Sequence, residues 1–235
     1  MVKTVYVNAE WIEEIELTTE AIDKLKNKKI ALFASVQFLK LDKLRAQLKS
    51  NGCQILETKA KRTNAITQIL GCDAYDDSFK NPILKQAEKI LYVGDGHFHP
   101  NALLYSGADS IIIFDPLDKK TKVLTKEHVE KNEKKRIANI KTFMISNTIG
   151  ILVSTKPGQQ FLEYAELLKK KLEEQGKKSY LFLDNTFDYA HMENYPFIDC
   201  YVNTACPRIG MDDIVNVSKP LININEALNP EKFLT

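Results

Sequence analysis

Four cysteines and two closely spaced histidines are the residues of this 235-residue chain whose chemistry depends most on their surroundings. Cys72 stands in Gly71-Cys72-Asp73 and Cys206 in Ala205-Cys206-Pro207-Arg208, and both settings are loop patterns. Two thiols in post-strand loops are open to a disulfide, a metal site or part of an iron–sulfur site. Cys53 follows a helix stop and Cys200 sits in the apolar run 198–202, so both are expected as small buried hydrophobes. There is no CxxC pair, which argues against a zinc ribbon, and four scattered cysteines are too few for a disulfide framework. His97 and His99, in Gly94-Asp95-Gly96-His97-Phe98-His99-Pro100, would share a face of an extended segment as a His-x-His metal pair. The two glycines there allow close backbone approach to a ligand, but the third glycine of the dinucleotide fingerprint is missing. Ser154-Thr155-Lys156-Pro157-Gly158-Gln159 is no P-loop, though a turn of this type before a helix suits a carboxylate or phosphate.

The scaffold for these loops is legible as short β-branched runs alternating with amphipathic segments. Strands are expected over 4–7, 30–34, 53–56, 89–93 and 110–114, and helices over 19–28 and 38–49, with a further helix-length stretch ending at Gly107. That alternation implies α/β layers on a parallel sheet. Residues 119–141 turn strongly charged and are expected to form a solvated helix joining two modules. The expected modules are 1–125, carrying Cys72, and 126–235, beginning with the charged helix and carrying Cys206.

Residues 29–39 can be laid over 150–162, which points to an internal repeat. In both, a strand ends in a small hydroxylic residue, a turn follows, and Gln-Phe-Leu opens a Leu- and Lys-rich helix. Each helix stops at a glycine, Gly52 or Gly176, before another strand. Each module then delivers a cysteine followed by an Asp pair, Asp76-Asp77 or Asp212-Asp213, so the two thiols are expected at the same structural place.

Composition excludes several classes. With 44% hydrophobic and 27% charged residues, nine Gly and eight Pro, the chain is globular in usage. Its longest apolar runs fall far short of the roughly 20 residues of a membrane span. The start has no apolar segment of signal-peptide length, so a soluble, cytoplasmic protein is expected. Thirty-three basic against 31 acidic residues leave a net charge of +2, and only four of the basic residues are Arg, which argues against a nucleic-acid reader.

Taken in order, Gln68-Ile69-Leu70-Gly71-Cys72, Gly94-Asp95-Gly96-His97-Phe98-His99-Pro100, Ser154-Thr155-Lys156-Pro157-Gly158-Gln159 and Asn203-Thr204-Ala205-Cys206-Pro207-Arg208 resemble the archaeal diphthamide synthase family. The resemblance runs along nearly the whole chain. It implies similar α/β modules around a pseudo-threefold axis, one cysteine from each holding a [4Fe–4S] cluster whose open iron binds S-adenosylmethionine. The implied reaction adds a 3-amino-3-carboxypropyl radical to a histidine of translation elongation factor 2. By this resemblance Cys72 and Cys206 are the cluster ligands of the second and third modules, and Gln37, Gly94, Gly96, His99 and Gln159 line the cofactor cleft.

The family's first module has no counterpart in these residues, because 5–9 already resemble the first strand of its second module. Two of three expected ligands are therefore present. One expectation is a catalytic subunit, with a separate polypeptide supplying the missing module and third cysteine. An accessory subunit that has lost the cluster chemistry is the alternative. A third is completion of the site by Cys200, Cys53 or a homodimer mate. Cys200 lies six residues before Cys206, about 20 Å away if the segment is extended, and is a poor ligand. A large apolar patch is expected where the partner packs.

Overall fold

The structure, a computed structural model, describes residues 5, 7 and 9–234. The chain divides into two compact units, Met1–Val129 and Glu130–Thr235.

In the first unit Thr18 caps helix α1 (Thr19–Leu25), its Oγ1 accepting the Ala21 N–H at 3.4 Å. Strand β1 (Lys29–Ala34) buries five consecutive residues, the pattern of a strand covered on both faces. Helix α2 (Asp42–Ser50) lays Leu44 and Leu48 into the core. Gly52, at φ +75°, then turns the chain into β2 (Gln54–Leu56). After a long loop come β3 (Lys89–Val93), α3 (Phe98–Tyr105), β4 (Ser110–Asp115) and β5 (Lys120–Thr125). The sheet order is β2-β1-β3-β4-β5, parallel except for β5, which runs antiparallel to β4. Leu32, Leu91 and Phe114 from neighbouring strands form its centre with Leu44 and Leu48.

Helix α4 (Glu127–Ile145) leads into the second unit. There follow β6 (Thr148–Ser154), α5 (Leu162–Glu174), β7 (Lys178–Asp184), β8 (Cys200–Asn203), β9 (Leu221–Asn223) and α6 (Ile224–Leu228). The order is β7-β6-β8-β9, all parallel. Numbered within each unit, the first sheet runs 2-1-3-4-5 and the second 2-1-3-4, so over four strands the sequence repeat is a repeat of topology. In such sheets ligands sit at the carboxyl ends of strands, where the strand order reverses. That reversal falls between β1 and β3 in one unit and between β6 and β8 in the other.

Three expectations change. The helix expected over 38–49 starts at Asp42, because Phe38 is instead buried beneath Trp11, ring centroids 6.0 Å apart. The charged stretch 119–141 is not one solvated helix. Its first part is β5, which satisfies the hydrogen-bonding edge of β4, and α4 buries Arg136, Asn139, Ile140 and Phe143. The strand expected over 4–7 falls half outside the described residues, and Val5 and Val7 are exposed and not in a strand. Among the described residues no helix is long and apolar enough to cross a membrane.

Candidate functional site

The first unit gathers five of the expected site residues at the carboxyl edge of one sheet. Gln37 follows β1, and its carbonyl accepts the Trp11 N–H at 2.9 Å. Gly94 and Gly96 follow β3, with φ of +155° and +63°, and His99 lies in the first turn of α3. Cys72 reaches this edge through a segment that extends the sheet: Ala34 bridges Gln68, and Ile69 N–H donates to the Ala34 carbonyl at 3.0 Å. Gln68, 6% exposed, ties the two loops together. Its amide donates to the Val36 carbonyl at 3.0 Å and accepts the N–H groups of Asn64 and Ala65.

Cys72 itself rides on a tight turn. The Asp73 carboxylate accepts the Leu70 N–H at 2.8 Å, and Asp73 N–H donates back to the Leu70 carbonyl. Burial holds the Asp73 carboxyl above its ordinary value, against that hydrogen bond and the Arg62 charge. The turn lies along α3: Gly71 abuts the Phe98 ring, and Ser106 Oγ donates to the Asp73 carbonyl at 3.2 Å. The Cys72 turn, the Gly94–Gly96 loop and the start of α3 are thus one packed assembly.

In the second unit Gln159 and Cys206 occupy the carboxyl edge of the other sheet. Gln159 follows β6 in a turn in which Gly158 takes φ +77°, and its N–H donates to the Lys156 carbonyl at 3.0 Å. Cys206 follows β8. Thr204 locks the loop start onto β6, its Oγ1 donating to the Leu152 carbonyl at 2.8 Å. Arg208, only 3% exposed, pairs with Asp212, Nε to Oδ2 2.7 Å. Beside the loop, burial and a 2.7 Å hydrogen bond to Asp213 push the Tyr189 hydroxyl well above its ordinary value.

Thiol environments separate the four cysteines, none of which is in a disulfide. Cys53 is buried with Sγ donating to the Leu25 carbonyl at 3.3 Å. Cys200 is fully buried, and that burial pushes its thiol far up, so it is no thiolate. Cys72 and Cys206 are only partly buried, on loops at strand ends. Of the four thiols, these two are therefore the ones that a ligand can reach.

Two expectations at the site are corrected. His97 and His99 do not lie on an extended segment, because α3 starts at Phe98. Two residues apart on a helical turn, they point to different sides, and His97 sits 6.4 Å from the His128 ring. Among the described residues no group of three or more His, Cys, Asp or Glu is arranged to hold a metal ion. The two thiols are also not at the same structural place. Cys72 precedes the third strand of its unit, whereas Cys206 follows the third strand of its own. The topological partner of the Cys206 loop is the Gly94–Gly96 loop, and that of Gln37 is the Gln159 turn.

Sequence reasoning missed Gln68, Asn203 and Asn223 as loop anchors. The available signal was a single amide closing an apolar run, as in Cys200-Tyr201-Val202-Asn203 and Leu221-Ile222-Asn223.

Comparison with known proteins agrees with this topology. The family model described as "Putative diphthamide synthesis protein" matches residues 1–229. The 2-(3-amino-3-carboxypropyl)histidine synthase of Pyrococcus horikoshii is 29% identical over 96% of the chain, and that of Methanocaldococcus jannaschii 28% over 99%. The chain spans 65% and 61% of those relatives' lengths. A crystal structure of Dph2 from Pyrococcus horikoshii with a 4Fe-4S cluster superposes with a TM-score of 0.69 at 27% identity, covering 92% of this chain and 59% of that one.

Proposed function

This chain belongs to the diphthamide synthesis family, and from that premise we propose that Cys72 and Cys206 are thiolate ligands of a [4Fe–4S] cluster. The observation that carries the reading is the split among the thiols. Cys53 and Cys200 belong to the cores, while Cys72 and Cys206 sit on anchored loops at the carboxyl edges of the two sheets. Three thiolates leave one iron open for a substrate, and since neither core cysteine is placed to ligate, the proposed third ligand is a thiolate other than these four, of the kind a partner polypeptide or a second copy would supply.

The proposed activity is transfer of a 3-amino-3-carboxypropyl group from S-adenosylmethionine to a histidine of translation elongation factor 2. When bound, the cluster supplies the electron that cleaves S-adenosylmethionine. The chain's own residues bind and orient. Gly94 and Gly96 let backbone approach the ligand without a Cβ in the way. Gln37 and Gln159 on strand-end loops, and His99 in the first turn of α3, each partly buried, supply hydrogen-bonding groups to the cleft.

Anaerobic reconstitution with iron and sulfide, read by absorption and EPR, tests the reading. A [4Fe–4S] signal is expected from the wild type and its loss from Cys72→Ala and Cys206→Ala. Dithionite and S-adenosylmethionine are then expected to release methylthioadenosine. A cluster indifferent to both substitutions overturns the ligand assignment. No cluster, alone or with a partner polypeptide, overturns the enzyme reading, and a cluster without cleavage supports an accessory subunit instead.

A further inference from the structure

Asn203 closes β8 and Asn223 closes β9, and the two are register partners in the parallel ladder. They are 1% and 2% exposed. An amide buried at the end of an apolar strand is costly unless its polar atoms are paired. These are paired, and their partners are the backbone around Cys206. Asn203 Nδ2 donates to the Cys206 carbonyl at 2.8 Å and to Asn223 Oδ1 at 2.8 Å. Asn203 Oδ1 accepts the Ala205 N–H at 3.0 Å, and Asn223 Nδ2 donates to the Pro207 carbonyl at 2.8 Å. Residues 205, 206 and 207 are thus each gripped by a side-chain amide.

Asn223 is held in turn. Its N–H donates to Glu226 Oε2 at 2.6 Å, and Glu226, fully buried, pairs with Arg136 at 2.9 Å. Gly210 packs so closely that a Cβ there would collide with the Asn223 amide. The chain of contacts therefore runs from α4 through α6 and β9 to the loop that carries the thiol.

We propose that Asn203 and Asn223 are positioning residues that fix the backbone on both sides of Cys206 and so present its thiol in one orientation for ligation. The proposal rests on the reading of Cys206 as a cluster ligand. Both amides act through the loop backbone. An Asp at either position keeps the shape and the acceptor but loses the donations to the carbonyls of Cys206 or Pro207.

The test compares wild type, Asn203→Asp, Asn223→Asp and the core variant Leu168→Ala, which destabilises the same unit without touching the loop. In the cluster-free protein, iodoacetamide alkylation of Cys206 and Cys72 is followed peptide by peptide, with Cys72 as internal reference. Loss of one loop hydrogen bond is expected to raise the Cys206-to-Cys72 rate ratio about tenfold in both Asp variants and leave it unchanged in Leu168→Ala. The same Asp variants, reconstituted and reduced with dithionite, are expected to show a broadened, heterogeneous EPR signal. An unchanged ratio, or one shifted equally by Leu168→Ala, overturns the proposal. A ratio shifted in the Asp variants while the wild type takes no cluster leaves the positioning intact and removes the cluster reading instead. Where the Asp variants do not fold, Asn223→Ser is read in the same assay.

Discussion

Two glycines beside the thiol loops show how tightly single residues are specified. A Cβ on Gly71 would enter the Phe98 ring, and one on Gly210 would enter the Asn223 amide. Gly210→Ala is expected to cost about 1–3 kcal/mol, read from urea unfolding midpoints, because the Asn223 amide is buried and has no open space to retreat into. Gly71→Ala is expected to cost less, because the half-exposed Phe98 ring can turn aside into solvent. At this scale the partly buried loop settings of Cys72 and Cys206 were legible in the sequence, since flanking Gly-Asp or Ala-Pro-Arg marks a loop and not a core strand. Asn203 and Asn223 were not. Each is one amide at the end of an apolar run, and its meaning depends on a register partner 20 residues away. Nor was the helical setting of His99, because Gly-Asp-Gly suggests a loop without saying where the following helix begins.

Whole elements were read more securely where burial is two-sided. The runs at β1, β3, β4 and β6 are continuous apolar segments with a single interpretation. Of the charged run 119–141, expected as one solvated helix, residues 127–141 are helical as expected, while 120–125 form β5, a strand that becomes evident only when β4 supplies an edge to pair with. Helix α4 likewise hides a buried ion pair. Burial opposes charge on Arg136, but Glu226 and Glu133 overcome it and hold the guanidinium firmly protonated. Glu226→Ala leaves that charge half-compensated in a site only 9% exposed and is expected to cost about 3–5 kcal/mol in chemical denaturation. Because Glu226 also accepts from Asn223, the same variant is expected to speed alkylation of Cys206.

Across the whole molecule, two sheets that share the order of their first four strands carry different loops at equivalent positions, a glycine loop after the third strand in one and a cysteine loop in the other. The sequence repeat revealed the shared order but wrongly equated the thiols, because matching helices and glycine stops says nothing about which later loop holds a cysteine. Outside the buried Arg136–Glu226 pair, exposed ion pairs contribute little to stability. Pairs such as Lys24–Glu20, Lys28–Glu88 and Lys43–Glu16 are solvent-exposed and near-balanced in sign. Raising NaCl from 0.1 to 1 M is therefore expected to change unfolding free energy by no more than about 1 kcal/mol. Strand β5 has a different consequence. Without it, Ile111, Ile112, Ile113 and Phe114 of β4 would form an open sheet border, a template for adding strands from other chains. With it, the outermost strand carries Lys120 and Lys122, whose charges discourage a further strand from docking. The charged run that first looked like a linker guards the sheet against self-assembly.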